Sequence, residues 1–127
     1  MQIDRIDHVV LTVFDLERTC EFYSRVLGMK VVTFGEGRTA LTFGRQKLNL
    51  HLSGKEFEPK ALKPMPGAID LCFITETPIE EVAEHLRACD VKIVQGPVPK
   101  TGAVGALNSL YVRDPDGNLV EISNYVA

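Results

Sequence analysis

The stretch IDHVVLTVFDLERTCEFYSRVLGMKVV, residues 6–32, decides how this chain of 127 residues folds. Its first eight residues, Ile6 to Val13, are mostly β-branched or apolar and are flanked by charge, which reads as a strand. Asp15 is placed to cap a helix over Leu16–Leu27, because its carboxylate can accept from first-turn amides that have no partner inside the helix. Leu16, Cys20, Tyr23 and Leu27 recur at helical spacing, and Gly28 can end the helix in a left-handed conformation. Met29 to Phe34 then returns to strand chemistry.

Downstream, RTALTF (38–43) and QKLNLHL (46–52) extend the run of strands. The second alternates strictly, Leu48, Leu50 and Leu52 against Lys47, Asn49 and His51, so one side is built for a core and the other for something polar. Past a segment at 54–67 the same order begins again. Ile69 to Thr75 reads as a strand, and Thr77-Pro78-Ile79-Glu80 combines an N-cap, a proline at the first helical position and a capping-box glutamate. The helix runs to about Cys89 on a buried stripe of Ile79, Val82, Ala83, Leu86 and Cys89. VKIVQ (91–95), SLYVRD (109–114) and NLVEISNY (118–125) read as strands, the last two joined by the turn Asp114-Pro115-Asp116-Gly117. GPVPKTGAVGALNS (96–109) reads as a loop with the glycines of a mobile lid. The chain is thus one α+β domain made of two βαβββ modules, at about 3–53 and 68–125, with a linker over 54–67.

Overlaid, the modules put His8 on Asp70 and Asn49 on Glu121. Strand parity sets His8 opposite Val9 and Leu11, Asp70 opposite Leu71 and Phe73, and Glu121 opposite Val120 and Ile122. The polar faces therefore carry His8, Asn49, His51, Asp70 and Glu121, the imidazole and carboxylate donors that suit a divalent first-row metal. Glu121, between two apolar neighbours, is costly to bury without a cation or donors. Tyr111 shares a strand with Ser109 and Arg113, ten positions before Glu121, while Lys100 and Arg113 offer positive charge to an anionic substrate.

Composition narrows the classes. With 45% hydrophobic and 24% charged residues the chain is ordinary globular protein. A net charge of -3 without a basic stripe argues against nucleic acid as a partner. No apolar run approaches the roughly 20 residues that span a bilayer, and the charged start MQIDRIDHVV is unlike a signal peptide, so a cytoplasmic protein without a membrane partner is expected. The odd number of cysteines, Cys20, Cys72 and Cys89, and the absence of CxxC spacing argue against a disulfide framework or a thiolate zinc knuckle.

IDHVVLTVFDLERTCEFYSRVLGMKVV and SLYVRDPDGNLVEISNY, spanning nearly the whole chain between them, resemble the vicinal oxygen chelate superfamily. That family contains glyoxalase I, bleomycin- and fosfomycin-resistance proteins and extradiol dioxygenases. KLNLHLSGKEFEPKA, PGAIDLCFIT and GPVPKTGAVG are similar to its glyoxalase-domain-containing protein 5 subgroup and bacterial virulence-protein relatives. The resemblance implies paired βαβββ modules forming a half-open mixed β-barrel, and a divalent metal (nickel, zinc, cobalt, manganese or iron) held by the first and last strands of each module. His8 and Glu121 match the ligand positions directly. The family usually offers a carboxylate where Asn49 stands and a histidine where Asp70 stands, so His51 and Asp70 are the further candidates.

The implied function is a glyoxalase-like lyase or isomerase acting on a small substrate that chelates the metal through adjacent oxygens. Glu121 would move the proton and Tyr111 would contact substrate. The alternatives are an Fe(II) extradiol-type dioxygenase using His8, His51 and Glu121, and a small-molecule binding or resistance protein without turnover. Thr12 stands where bacterial lactoylglutathione lyases often place a basic residue, which points away from that specific reaction. The family also implies a homodimer.

Overall fold

The computed structural model describes residues 1–127 and divides into two compact units, Met1–Ala68 and Ile69–Ala127. The first contains β1 (His8–Val13), α1 (Leu16–Arg25), β2 (Lys30–Phe34), β3 (Arg38–Phe43) and β4 (Gln46–Leu52). The second repeats the order with β5 (Asp70–Ile74), α2 (Ile79–Ala88), β6 (Gln95–Thr101), β7 (Ala106–Arg113) and β8 (Leu119–Tyr125). The sheets run β1-β4-β3-β2 and β5-β8-β7-β6, with one parallel pair each, β1 with β4 and β5 with β8. The fold is α+β: two open, four-stranded mixed sheets, each with a helix, neither closing into a barrel by itself. No helix is long and apolar enough to cross a membrane.

The parallel pairs follow from the connection. A helix carries the chain from the first strand of each module back over the sheet, which permits a parallel partner, whereas the short turns that follow permit only antiparallel ones. In the first unit Leu11 lies beside Leu50, and Leu41 beside Leu48, on one face. These residues are at most 3% exposed, as is Tyr23 of α1. Burying each such side chain contributes roughly 1.5–3 kcal/mol. In the second unit Leu110 beside Ile122 and Val112 beside Val120 form the equivalent floor, and α2 packs against β7.

Asp15 caps α1 as the sequence indicates, its Oδ1 accepting from Arg18 N at 3.1 Å. Gly28 takes φ +68° and Met29 N bonds back to Tyr23 O at 3.0 Å, closing the helix end. The buried stripe of α1 is Thr19, Phe22, Tyr23 and Val26, one position off the sequence reading; Leu16, Cys20 and Leu27 lie half-buried along its border. At α2 the cap differs too. Pro78 holds the N-cap position without a side-chain bond, and Asn124 Nδ2 instead donates to the carbonyls of Thr75 and Thr77, tying the entry segment down. The stripe Ile79, Val82, Ala83 and Leu86 is buried as read, with Cys89 half-buried beyond it.

The largest departure is β6. VKIVQ is not a strand beyond its final residue; the strand runs through QGPVPKT, inside the segment read as a lid. Alternating apolar residues signal a half-buried strand, but β6 is the outermost strand of its sheet, where prolines are tolerated. The register shifts between Gln95 and Val98, and Gly96 there takes φ +107°. A Cβ on Gly96 would stand 2.4 Å from the Ser109 carbonyl oxygen, so this bulge requires glycine. The lid shrinks to a hairpin tip closed by Gly102 N donating to Gly105 O at 2.8 Å.

Candidate functional site

In the second unit, register and parity put Cys72, Tyr111 and Glu121 side by side on the face away from α2, on neighbouring strands β5, β8 and β7. The ten-residue spacing of Tyr111 and Glu121 has a simple origin: they are direct partners across the β7–β8 hairpin. They floor a cavity of about 460 Å³, walled by Ile74, Leu107 and Tyr125 and rimmed by Lys100 to Ala103. Val104 N donates to the Tyr125 hydroxyl at 3.4 Å, holding the hairpin tip against that rim.

Glu121 is oriented by its neighbours. Ser123 Oγ donates to Glu121 Oε2 at 3.3 Å, and Ser123 Oγ lies 2.6 Å from Ser109 Oγ. The assignment that satisfies every hydroxyl has Ser109 donating to Ser123 and Ser123 donating to the carboxylate. Both serines are fully buried, so the relay is shielded from water. The Cys72 thiol lies 3.4 Å from Ser123 Oγ, and burial pushes its pKa up, which keeps it a neutral thiol. Tyr111 faces Glu121 as its direct partner across the hairpin. Loss of water and then the charge of that carboxylate raise the tyrosine pKa, so the phenol stays a proton donor at neutral pH.

The first unit presents His8, Lys47, Asn49 and His51 on the face opposite its leucines. His8 opens β1 rather than lying inside it, is exposed, and its Nδ1 sits 2.8 Å from Asp7 Oδ2, which leaves Nε2 free. Asn49 is 9% exposed, and its Oδ1 is a buried acceptor without a partner. His51 is buried edge-on against Phe57, with ring centres 5.5 Å apart. Arg38 lies 4.5 Å over the same phenylalanine ring. Burial first, and then the Arg38 charge, push the His51 pKa down, with Glu56 opposing.

The two units repeat the same placement. His8 pairs with Lys47 and Asn49 stands one pleat step along β4; Asp70 pairs with Leu119 and Glu121 stands one pleat step along β8. Each unit thus offers a diagonal pair of donors at equivalent seats. His51 pairs with Thr12, four residues from His8, or about 13 Å along the strand. Two imidazoles standing on one face at that spacing do not meet on one ion at about 2.1 Å. In neither unit do three His, Cys, Asp or Glu side chains gather in a group able to hold an ion.

Sequence reading did not single out Ser109, Ser123 and Cys72 as partners of Glu121, although parity along β5, β7 and β8 carries that signal. It had no means of pairing Phe57, from the segment after β4, with His51 and Arg38.

Comparison with known proteins places the chain in context. A profile described as the Glyoxalase/Bleomycin resistance protein/Dioxygenase superfamily matches residues 5–122. Virulence protein STM3117 of Salmonella typhimurium is 58% identical over 99% of this chain and 88% of its own length. Its crystal structure matches with a TM-score of 0.98, covering 99% of this chain and 100% of that one. Glyoxalase domain-containing protein RDO1 of Mycosarcoma maydis is 54% identical over 98% of this chain and 70% of its length. Biphenyl-2,3-diol 1,2-dioxygenase 2 of Rhodococcus globerulus is 32% identical over 91% of this chain and 60% of its length.

Proposed function

The chain belongs to the glyoxalase/bleomycin resistance protein/dioxygenase superfamily, and from that premise we propose that it is a metal-dependent lyase or isomerase of the glyoxalase kind. Its substrate is a small molecule with adjacent oxygens, taken into the cup of the second unit. The observation that carries this reading is Glu121: a carboxylate lining a cavity of about 460 Å³, held by the Ser123 hydroxyl and standing beside Tyr111.

The donor chemistry fits a divalent ion. Asn49 Oδ1 is a buried oxygen with no protein partner, and a histidine whose other ring nitrogen meets a carboxylate, as His8 does with Asp7, is the usual arrangement of a metal-binding imidazole. Each unit supplies a proposed pair of seats, His8 and Asn49 in the first and Asp70 and Glu121 in the second; the register favours Asn49 over His51. A divalent ion, when bound, supplies a Lewis acid that stabilises negative charge on neighbouring substrate oxygens. The chain's own groups do the rest. Glu121 has lone pairs to spare beyond its bond from Ser123 and accepts a proton from the substrate carbon. Tyr111 keeps its proton and donates to a substrate oxygen, and Ile74 and Leu107 cover the apolar part.

One observation favours a second reading. The 32% identity to a biphenyl-2,3-diol dioxygenase supports oxygenation of a diol, with an iron that His8 and His51 stand too far apart to share. We also propose a cytoplasmic homodimer, since β1 and β5 are each paired on one side only and free strand edges need cover.

Metal analysis of the purified protein tests the reading. A divalent metal is expected, reduced at least tenfold in both His8→Ala and Glu121→Gln. Removing it with a chelator lowers the melting temperature, since an ion at a hundredfold excess over its Kd stabilises the folded form by about 2.7 kcal/mol. Nickel, zinc, cobalt or manganese supports the lyase and iron the oxygenase. A metal-free protein refutes the metal-dependent reading in favour of a binding protein, and variants with unchanged content refute the proposed seats.

A further inference from the structure

The cup of the second unit contains one cation and one anion, Lys100 and Glu121, and they do not pair. None of the ion pairs in the structure includes either residue. The Lys100 ammonium lies 5.6 Å from the Tyr111 ring centre, and Glu121 is the direct cross-strand partner of Tyr111. The apolar walls, Ile74, Leu107 and Tyr125, offer no third charge. A cavity with an unpaired ammonium on one side and a carboxylate acceptor on the other suits a ligand with an anionic group at one end and a hydrogen-bond donor at the other.

From this juxtaposition we propose that the cup takes a hydroxycarboxylic acid, its carboxylate on Lys100, its hydroxyl donating to Glu121 and its hydrocarbon body against Ile74, Leu107 and Tyr125. This rests on the reading of the cup as the substrate site and adds the charge of the substrate to it. Lys100 is then a specificity-determining residue, discriminating against neutral analogues of the same shape. Because it stands at the exposed rim, its contribution falls as ionic strength rises.

The probes are 4-(hydroxymethyl)benzoate, with its two polar groups at opposite ends, and its uncharged counterpart 4-(hydroxymethyl)benzamide, titrated into the isotope-labelled full chain and followed by two-dimensional NMR. The benzoate is expected to shift the amide signals of Ala103, Leu107 and Tyr111, and the benzamide to bind at least tenfold more weakly. Lys100→Met is expected to erase that difference by weakening the benzoate alone, and Lys100→Arg to preserve it, which a merely structural role for the residue would not produce. Equal binding of the two probes at the cup, weakened alike by Glu121→Gln, overturns the charge selectivity and leaves the cup as the substrate site. Failure of both probes to shift any cup residue overturns both readings.

Discussion

Replacing Ser123 by alanine strands a neighbour. Ser109 and Ser123 are both fully buried, and their hydroxyl oxygens are 2.6 Å apart. In Ser123→Ala the Ser109 hydroxyl stays buried without its partner, a loss of about 1–3 kcal/mol. In Ser109→Ala, by contrast, Ser123 keeps Glu121 at 3.3 Å and Cys72 at 3.4 Å, so the loss is that of one net hydrogen bond, about 0.5–1.5 kcal/mol. The double variant contains no stranded hydroxyl. Ser109→Ala should therefore stabilise the Ser123→Ala protein by about 1 kcal/mol, although it destabilises the parent. Urea unfolding followed by circular dichroism reads this as a midpoint recovery of about 0.5 M for a typical slope of about 2 kcal/mol/M. If Ser109→Ala costs as much in the Ser123→Ala background as in the parent, the two hydroxyls are not coupled and the relay to Glu121 is wrong.

Two further outcomes concern stability. The His51 pKa is lower in the folded chain than its unfolded value near 6.5, so the unfolded chain takes up the proton first. This contribution is complete above pH 6.5 and declines as pH falls toward the folded pKa, with a slope of at most about 1.4 kcal/mol per pH unit. His51→Gln should flatten that part of a melting-temperature profile, and an unchanged slope would refute the assignment. Gly96→Ala should cost about 3 kcal/mol or more, because its Cβ meets backbone at 2.4 and 2.7 Å. Gly44→Ala, at φ +51° with nothing within 4 Å, should cost only about 1–2 kcal/mol by thermal melting. Equal losses would remove the close approach at the bulge.

Much of the architecture was legible because strand-forming residues cluster in short runs. RTALTF and QKLNLHL are strands from end to end, and the second also alternates in sequence. The duplication was readable because each module restates the order of its elements, and the register confirms the overlay of His8 on Asp70 and Asn49 on Glu121 at the level of pleat steps. What stayed hidden depends on partners distant in sequence. Where the sequence reads a cap at Thr77, Asn124 Nδ2 instead donates to the Thr77 carbonyl from 47 residues away and no side chain caps the helix. Phe57 closes over His51 from a segment without periodicity. The strand Gln95–Thr101 was masked because local preference speaks against proline in a sheet, and only position at the margin lifts that objection.

That masking has a use. Pro97 and Pro99 have the same parity on the outermost strand, and neither has an amide hydrogen to give. The outer rim of this sheet therefore lacks two of the donors that an incoming chain would need to zip on, and Lys100 next to them adds charge repulsion between like copies. The mouth of the cavity is in this way bordered by a strand that resists recruiting another one, so the protein can keep an open pocket at the border of a sheet without seeding fibrils from it.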